Sequence, residues 1–109
     1  MKVSRKDALV RTADDSLVIE ELFNGKNFKF DFVISTLNGS HPKRINKVSD
    51  RAYFILSGTA EVTVGDETHH AETHDLILIP ANTSHGIEGK AEFIIITAPP
   101  YVPQNEERA

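Results

Sequence analysis

Short apolar runs, each stopped by turn chemistry, constrain this chain more than any other feature. Residues 53–56 (Tyr-Phe-Ile-Leu) and 76–79 (Leu-Ile-Leu-Ile) have strand length and are rich in β-branched and aromatic side chains. Gly58 closes the first run, and Pro80-Ala81-Asn82 closes the second. The same punctuation recurs along the chain. Residues 17–23 end at Asn24-Gly25, and residues 28–37 end at Asn38-Gly39. Residues 51–57 and 59–64 read as two strands flanking Gly58, and Gly65-Asp66 turns the second into a short polar strand over 67–71. Residues 91–97 follow the turn at Gly89-Lys90. Phe28, Phe30, Phe32 and Ile34 recur at period two, opposite Lys29 and Asp31, and are expected to pack the barrel or a dimer face. Only residues 4–10 suggest a helical turn, from the capping-box spacing of Ser4 and Asp7, with an edge strand as the alternative. Eight or more short strands without a long amphipathic helix specify an all-β sandwich or barrel.

Residues 98–109 contain Pro99, Pro100 and Pro103, which rules out a central strand. This tail is expected to lie extended over the body and to fray from Glu106 onward.

A chain of 109 residues is expected to form one domain, here with a core over residues 28–98, an N-terminal strand and turn segment over 1–27, and a proline-rich tail over 99–109. The formal net charge of −4 argues against nucleic acid as the partner. There is no cysteine, so disulfides, zinc–thiolate sites and a cysteine nucleophile are excluded. Asp14 and Asp15 stand where a signal peptide would need its apolar segment, and no apolar run approaches membrane-spanning length. A soluble cytoplasmic protein is the expectation. The runs at 76–79 and 93–96 lack a polar face, so a second subunit is expected to cover them in a homodimer.

The stretch from Gly39 to Gly89 resembles the cupin superfamily. The family's first motif runs Gly, five residues, His-x-His, three or four residues, Glu, six residues, Gly; Gly39 and Gly58 stand at that spacing. The second runs Gly, five residues, Pro-x-Gly, two residues, His, three residues, Asn; Pro80 and His85 match, and Asn82 takes the place of the turn glycine. His74 and Gly89 depart from the pattern. The resemblance implies a double-stranded β-helix, or jelly-roll barrel, with its site in the barrel mouth. It also implies a divalent metal held by two His and a Glu from the first motif and a His from the second. Carried over by position, those ligands become Ile45, Lys47, Arg51 and His85, so His85 is the only retained family ligand. Isoleucine has no donor atom, and lysine and arginine are cationic near neutral pH. The expectation is therefore no metal and no other cofactor.

What replaces the metal is positive charge. Segment 41–51 holds four of the chain's twelve Lys and Arg and a single acid. With Lys47, Arg51 and His85 facing inward, the cavity suits a small anionic metabolite such as a sugar acid, a keto acid or a phosphosugar. An internal ion pair of Arg51 with Glu61, Glu88 or Glu92 is the competing reading. Whether the chain is an enzyme stays open. One alternative function is a metal-independent sugar isomerase, epimerase or lyase, with His85 and Tyr53 as its catalytic groups. A metal-dependent cupin with unusual ligands is the other. His41, His69, His70 and His74 are candidates for adventitious metal only.

Overall fold

The turns read from the sequence separate strands that pair antiparallel throughout. The structure, a computed structural model, describes residues 1–109. Its strands are β1 (Leu9–Asp14), β2 (Leu17–Phe23), β3 (Asp31–Asn46), β4 (Asp50–Val64), β5 (Glu67–Ala71), β6 (Leu76–Ile79), β7 (His85–Ala98) and β8 (Glu106–Arg108). The strand order is β1-β2-β3-β7-β4-β5, with β6 added to β4 and β8 added to β3. The result is a jelly-roll barrel. No helix is long and apolar enough to cross a membrane.

Three long strands of 16, 15 and 14 residues, β3, β4 and β7, form the centre. Their register places Asp31, Thr97 and Arg51 in one row across the sheet, and Val33, Ile95 and Tyr53 in the next inward-facing row. Leu37, Ile55, Val62 and Phe93 fill the interior and are almost fully buried. The sequence suggests two strands on either side of Gly58, but β4 runs through it as one. A bulge between Ile55 and Ser57 shifts the alternation, so that Tyr53 and Ile55 face inward before it and Ala60 and Val62 after it. Gly58 has φ +81°, and a Cβ there would sit 2.2 Å from the carbonyl oxygen of Lys90. Only glycine permits that backbone at that distance.

Other expectations change. Residues Arg5–Asp7 form a single 3-10 turn, and the exposed edge strand β1 follows it. The inward face of β3 is Val33, Ser35 and Leu37, whereas Phe28 and Phe30 lie outside the barrel, where they form an aromatic cluster with Phe23 at centroid distances of 5.1–6.4 Å. Strand β6 is buried on one face only: Ile79 is inside, and Leu76 and Leu78 are exposed. The tail does not fray at Glu106. Residues Pro103–Asn105 make a 3-10 turn, and Glu106–Arg108 pairs with Arg44, Ile45 and Asn46 of β3. Prolines leave the backbone of residues 106–108 free to donate, so the tail adds as an edge strand, where a central strand would be impossible.

Candidate functional site

The inward side chains of the barrel enclose a cavity of about 360 Å³. Which residues of β3 reach it depends on a second bulge. The β3–β7 register slips between His41 and Arg44, at Pro42, a residue that sheets accept at bulges. Odd-numbered residues face inward before the slip and even-numbered residues after it. His41 and Arg44 therefore line the cavity, and Asn46 is buried. Lys47, expected inside, points to solvent with its side chain 54% exposed, and its Nζ lies 3.2 Å from Glu107. Ile45 likewise is not among the lining residues.

Arg51 does face the cavity. Its Nε donates to Thr97 Oγ1 at 3.2 Å, its Nη1 lies 3.2 Å from His85 Nε2, and the same nitrogen pairs with the Glu106 carboxylate. The Tyr101 ring lies beneath the guanidinium, 5.8 Å from centroid to Cζ. The internal-pair reading is thus realised with Glu106, an acid from the tail, in place of Glu61, Glu88 or Glu92. Burial also pushes the carboxyl of Asp31 up, against the lowering effect of the Tyr101 N–H, Thr97 and the Arg51 charge.

His85 is 3% exposed. Its Nδ1 donates to the carbonyl of Thr83 at 3.1 Å, a tautomer that leaves Nε2 to accept from Arg51. Burial pushes its pKa down, and the Arg51 charge adds to this against the opposing Thr83 bond. With both ring nitrogens engaged, His85 has no free lone pair for a substrate proton. Tyr53 lies beside it, with rings 6.3 Å apart, and packs on Phe93 at 5.1 Å. Burial pushes the phenol pKa up, so Tyr53 remains a neutral hydroxyl at the cavity wall.

His41 has one ring nitrogen without a protein partner. Its Nδ1 donates to Asp14 Oδ2 at 2.6 Å, which leaves Nε2 without a protein partner in a residue that lines the cavity. Asp14 is held in turn by the backbone N–H and hydroxyl of Ser16 at 2.7 and 2.5 Å. Burial pushes the Asp14 carboxyl up, but the Ser16 and His41 hydrogen bonds outweigh it and bring the pKa down to about 2. A carboxylate with a depressed pKa stabilises the fold above its unfolded value, here 3.8, and that stability is lost as pH falls toward about 2. Discounted for its 28% exposed side chain, the contribution is about 1–2 kcal/mol. Asp14→Asn should cost that amount at pH 6 and almost nothing near pH 2. Urea titrations at the two pH values check it, and an equal loss at both would remove the carboxylate from the account.

Arg44 is the remaining cation. It lines the cavity and makes no ion pair, unlike Arg11, whose Nε is 3.9 Å from Glu21. His41, Arg44, Asp31 and Glu106 are absent from the set of site residues expected from motif spacing. The signal that could have found two of them is Pro42, which marks the bulge.

The metal implied by the family motif does not suit these residues. A cation on His85 needs the Nε2 lone pair that Arg51 uses, and no three His, Asp or Glu side chains converge as a cation site. His69, His70 and His74 lie outside the cavity. His70 Nδ1 bonds Glu61 at 2.5 Å, which raises its pKa, His69 meets Glu67 at 3.2 Å, and His74 stacks on Phe54 at 5.9 Å.

The barrel is similar to solved structures of known proteins. Pac13, described as a unique nucleoside dehydratase, is 20% identical with a TM-score of 0.89; the match covers 100% of this chain and 90% of that one. A Streptomyces Pac13 variant was solved with uridine, at 19% identity and TM-score 0.89, with coverage of 100% and 89%. KdgF from a Halomonas species is 14% identical with a TM-score of 0.79, covering 91% of this chain and 94% of that one. No curated protein matches the sequence. The model of the cupin domain matches residues 35–97, more than half of the chain and nearly all of β3 through β7. This chain belongs to the cupin domain family.

Proposed function

We propose that the chain binds a small anionic metabolite, a sugar acid, keto acid or phosphosugar, in the barrel cavity, with Arg44 as the anchor. The observation that carries this is an unpaired guanidinium on the wall of a partly open cavity of about 360 Å³. That volume is within the range of small-molecule pockets. A guanidinium offers a planar fork to a carboxylate or phosphate, and charge-assisted bonds of this kind are the strong ones. Lys47 plays no part, because it is outside the cavity. Calorimetric titration with glucuronate tests the reading. Arg44→Ala should weaken binding about 30-fold or more, since loss of one partner of a partly buried charge pair costs about 2 kcal/mol or more. Lys47→Ala should leave affinity unchanged. The opposite ranking of the two variants would sink the proposal.

A second reading is favoured by the Asp14–His41 pair, which has the geometry of an oriented general base. In this reading the chain is a metal-independent isomerase, epimerase or lyase. His41 moves the proton, Tyr53 donates a hydrogen bond, and His85 holds Arg51 in place. Among the structural relatives, Pac13 is a nucleoside dehydratase by description, and a variant of it was solved with uridine. Exchange of a carbon-bound ligand proton with deuterated solvent tests this reading.

A further inference from the structure

Residues 101–108 contribute to the cavity as well as to the sheet. They carry a carboxylate, Glu106, onto the only inward-facing guanidinium of β4. Strand β8 fixes it there through three backbone register pairs with β3, and the Lys47 N–H donates to the Asn105 carbonyl at 2.8 Å. Tyr101, on the same segment, packs its ring against Arg51 and gives its N–H to Asp31. The side chains of Arg51 and Glu106 are only 11% and 15% exposed, so the pair is largely withdrawn from solvent. Glu107, the next residue, faces the other way and meets Lys47 at the surface.

We infer that Glu106 is the specificity-determining residue of the cavity: it occupies Arg51 as an internal anion and limits the ligand to one negative group. This rests on the reading of the cavity as an anion site. Of the three guanidinium groups that line the cavity, Arg11 meets Glu21, Arg44 makes no ion pair and Arg51 meets Glu106, so without Glu106 a ligand with two carboxylates would have both Arg44 and Arg51 to use. Glu106 forbids it in two ways. It takes the Nη1 edge of Arg51, and its own charge repels a second ligand carboxylate at that end, where Asp31 adds a further acid. Arg51 Nη2, which has no protein partner, leaves a polar position suited to a ligand hydroxyl group. The preferred ligand is therefore a monoanion with hydroxyl groups distal to its acid. Such discrimination by an unfavourable charge is a general device for specificity.

Three six-carbon probes of one skeleton separate the outcomes: glucose, glucuronate and glucarate, with no, one and two carboxylates. Calorimetry on the full chain should rank glucuronate above both others. In Glu106→Gln, Arg51 is free, and the ratio of glucarate to glucuronate affinity should rise at least 10-fold. Glu107→Gln removes the same charge from the same strand at the surface and should leave the ratio within 2-fold of the parent. A folded Glu106→Gln protein with an unchanged ratio overturns the inference while leaving the anion site standing. If Glu107→Gln shifts the ratio as far as Glu106→Gln, the effect is general charge and the inference also fails. If none of the three proteins binds either acid, the anion-site reading itself falls, and this inference with it.

Discussion

Arg51→Leu should be among the most destabilising single changes in the barrel, lowering stability by about 3 kcal/mol at pH 7. The cause is what the guanidinium leaves behind more than the contacts it makes. Glu106 loses its ion partner, and Asp31, only 7% exposed, loses the charge that opposes its desolvation. His85 loses the donor to Nε2. Two carboxylates then share a cavity wall with no cation bonded to either. Glu106→Gln should cost less, about 1–2 kcal/mol, because Arg51 keeps Thr97, His85 and the charge of Asp31. The sign of the pH dependence follows. Asp31 has a raised pKa, so its protonated form is favoured in the fold, and its share of stability is present at low pH and lost as pH rises through the folded value. With Arg51 gone that rise is larger, so the Arg51→Leu deficit should shrink as pH falls from 7 toward 4. Chemical denaturation of the two variants at pH 7 and pH 4 checks both points. An Arg51→Leu protein no less stable than Glu106→Gln would contradict the assignment of Arg51 as the hub of the site.

The fold was legible because it depends on punctuation. Glycine, Asn-Gly and proline mark where strands stop, and alternation over residues 59–64 marks a half-buried strand; neither requires knowledge of distant contacts. The site was less legible because inward and outward positions are set by parity, and a bulge inverts parity for every residue after it. Motif spacing counts Lys47 into the cavity from Gly39. What it omitted was the slip at Pro42, which sends Lys47 outward and brings Arg44 in. On β4 no slip precedes residue 51, and Arg51 faces the cavity. The partner of Arg51 was beyond reach for a different reason. Glu106 lies 55 residues away, at the point where the sequence suggests the tail frays, and only the addition of β8 to β3 brings it inside. The dyad of His41 with Asp14 likewise joins residues 27 apart through the β1–β2 turn, where the sequence shows only a polar turn. Asp14 there accepts both the backbone N–H and the hydroxyl of Ser16 and also holds the His41 ring.

If the cavity carries out acid–base chemistry, His41→Gln should reduce it 100-fold or more, the range typical for loss of a positioned proton-transfer group. The reaction most directly read is the exchange of a carbon-bound proton next to a carboxylate or carbonyl. A base takes that proton in the first step of an epimerisation, an isomerisation or an elimination, so exchange reports the class without requiring the product to be known. Glucuronate and pyruvate, incubated with the protein in deuterated water and followed by proton NMR, serve as probes. Two further variants separate the roles. Asp14→Asn keeps the His41 ring but removes the carboxylate that holds its Nδ1–H, so it should slow exchange by about 10-fold and change its pH profile, while His85→Gln should act through Arg51 and weaken binding more than turnover. Tyr53→Phe removes one hydroxyl from a ring that stays packed on Phe93, so it should alter turnover without lowering stability by more than about 1 kcal/mol. This set of expectations is specific because His85 and His41 exchange the roles that sequence spacing assigns. The second-motif histidine is the one the resemblance singles out, yet its two nitrogens are already engaged, by Thr83 and Arg51. Exchange that survives His41→Gln but is lost in His85→Gln would restore the spacing-based assignment and require Arg51 to move aside when ligand binds.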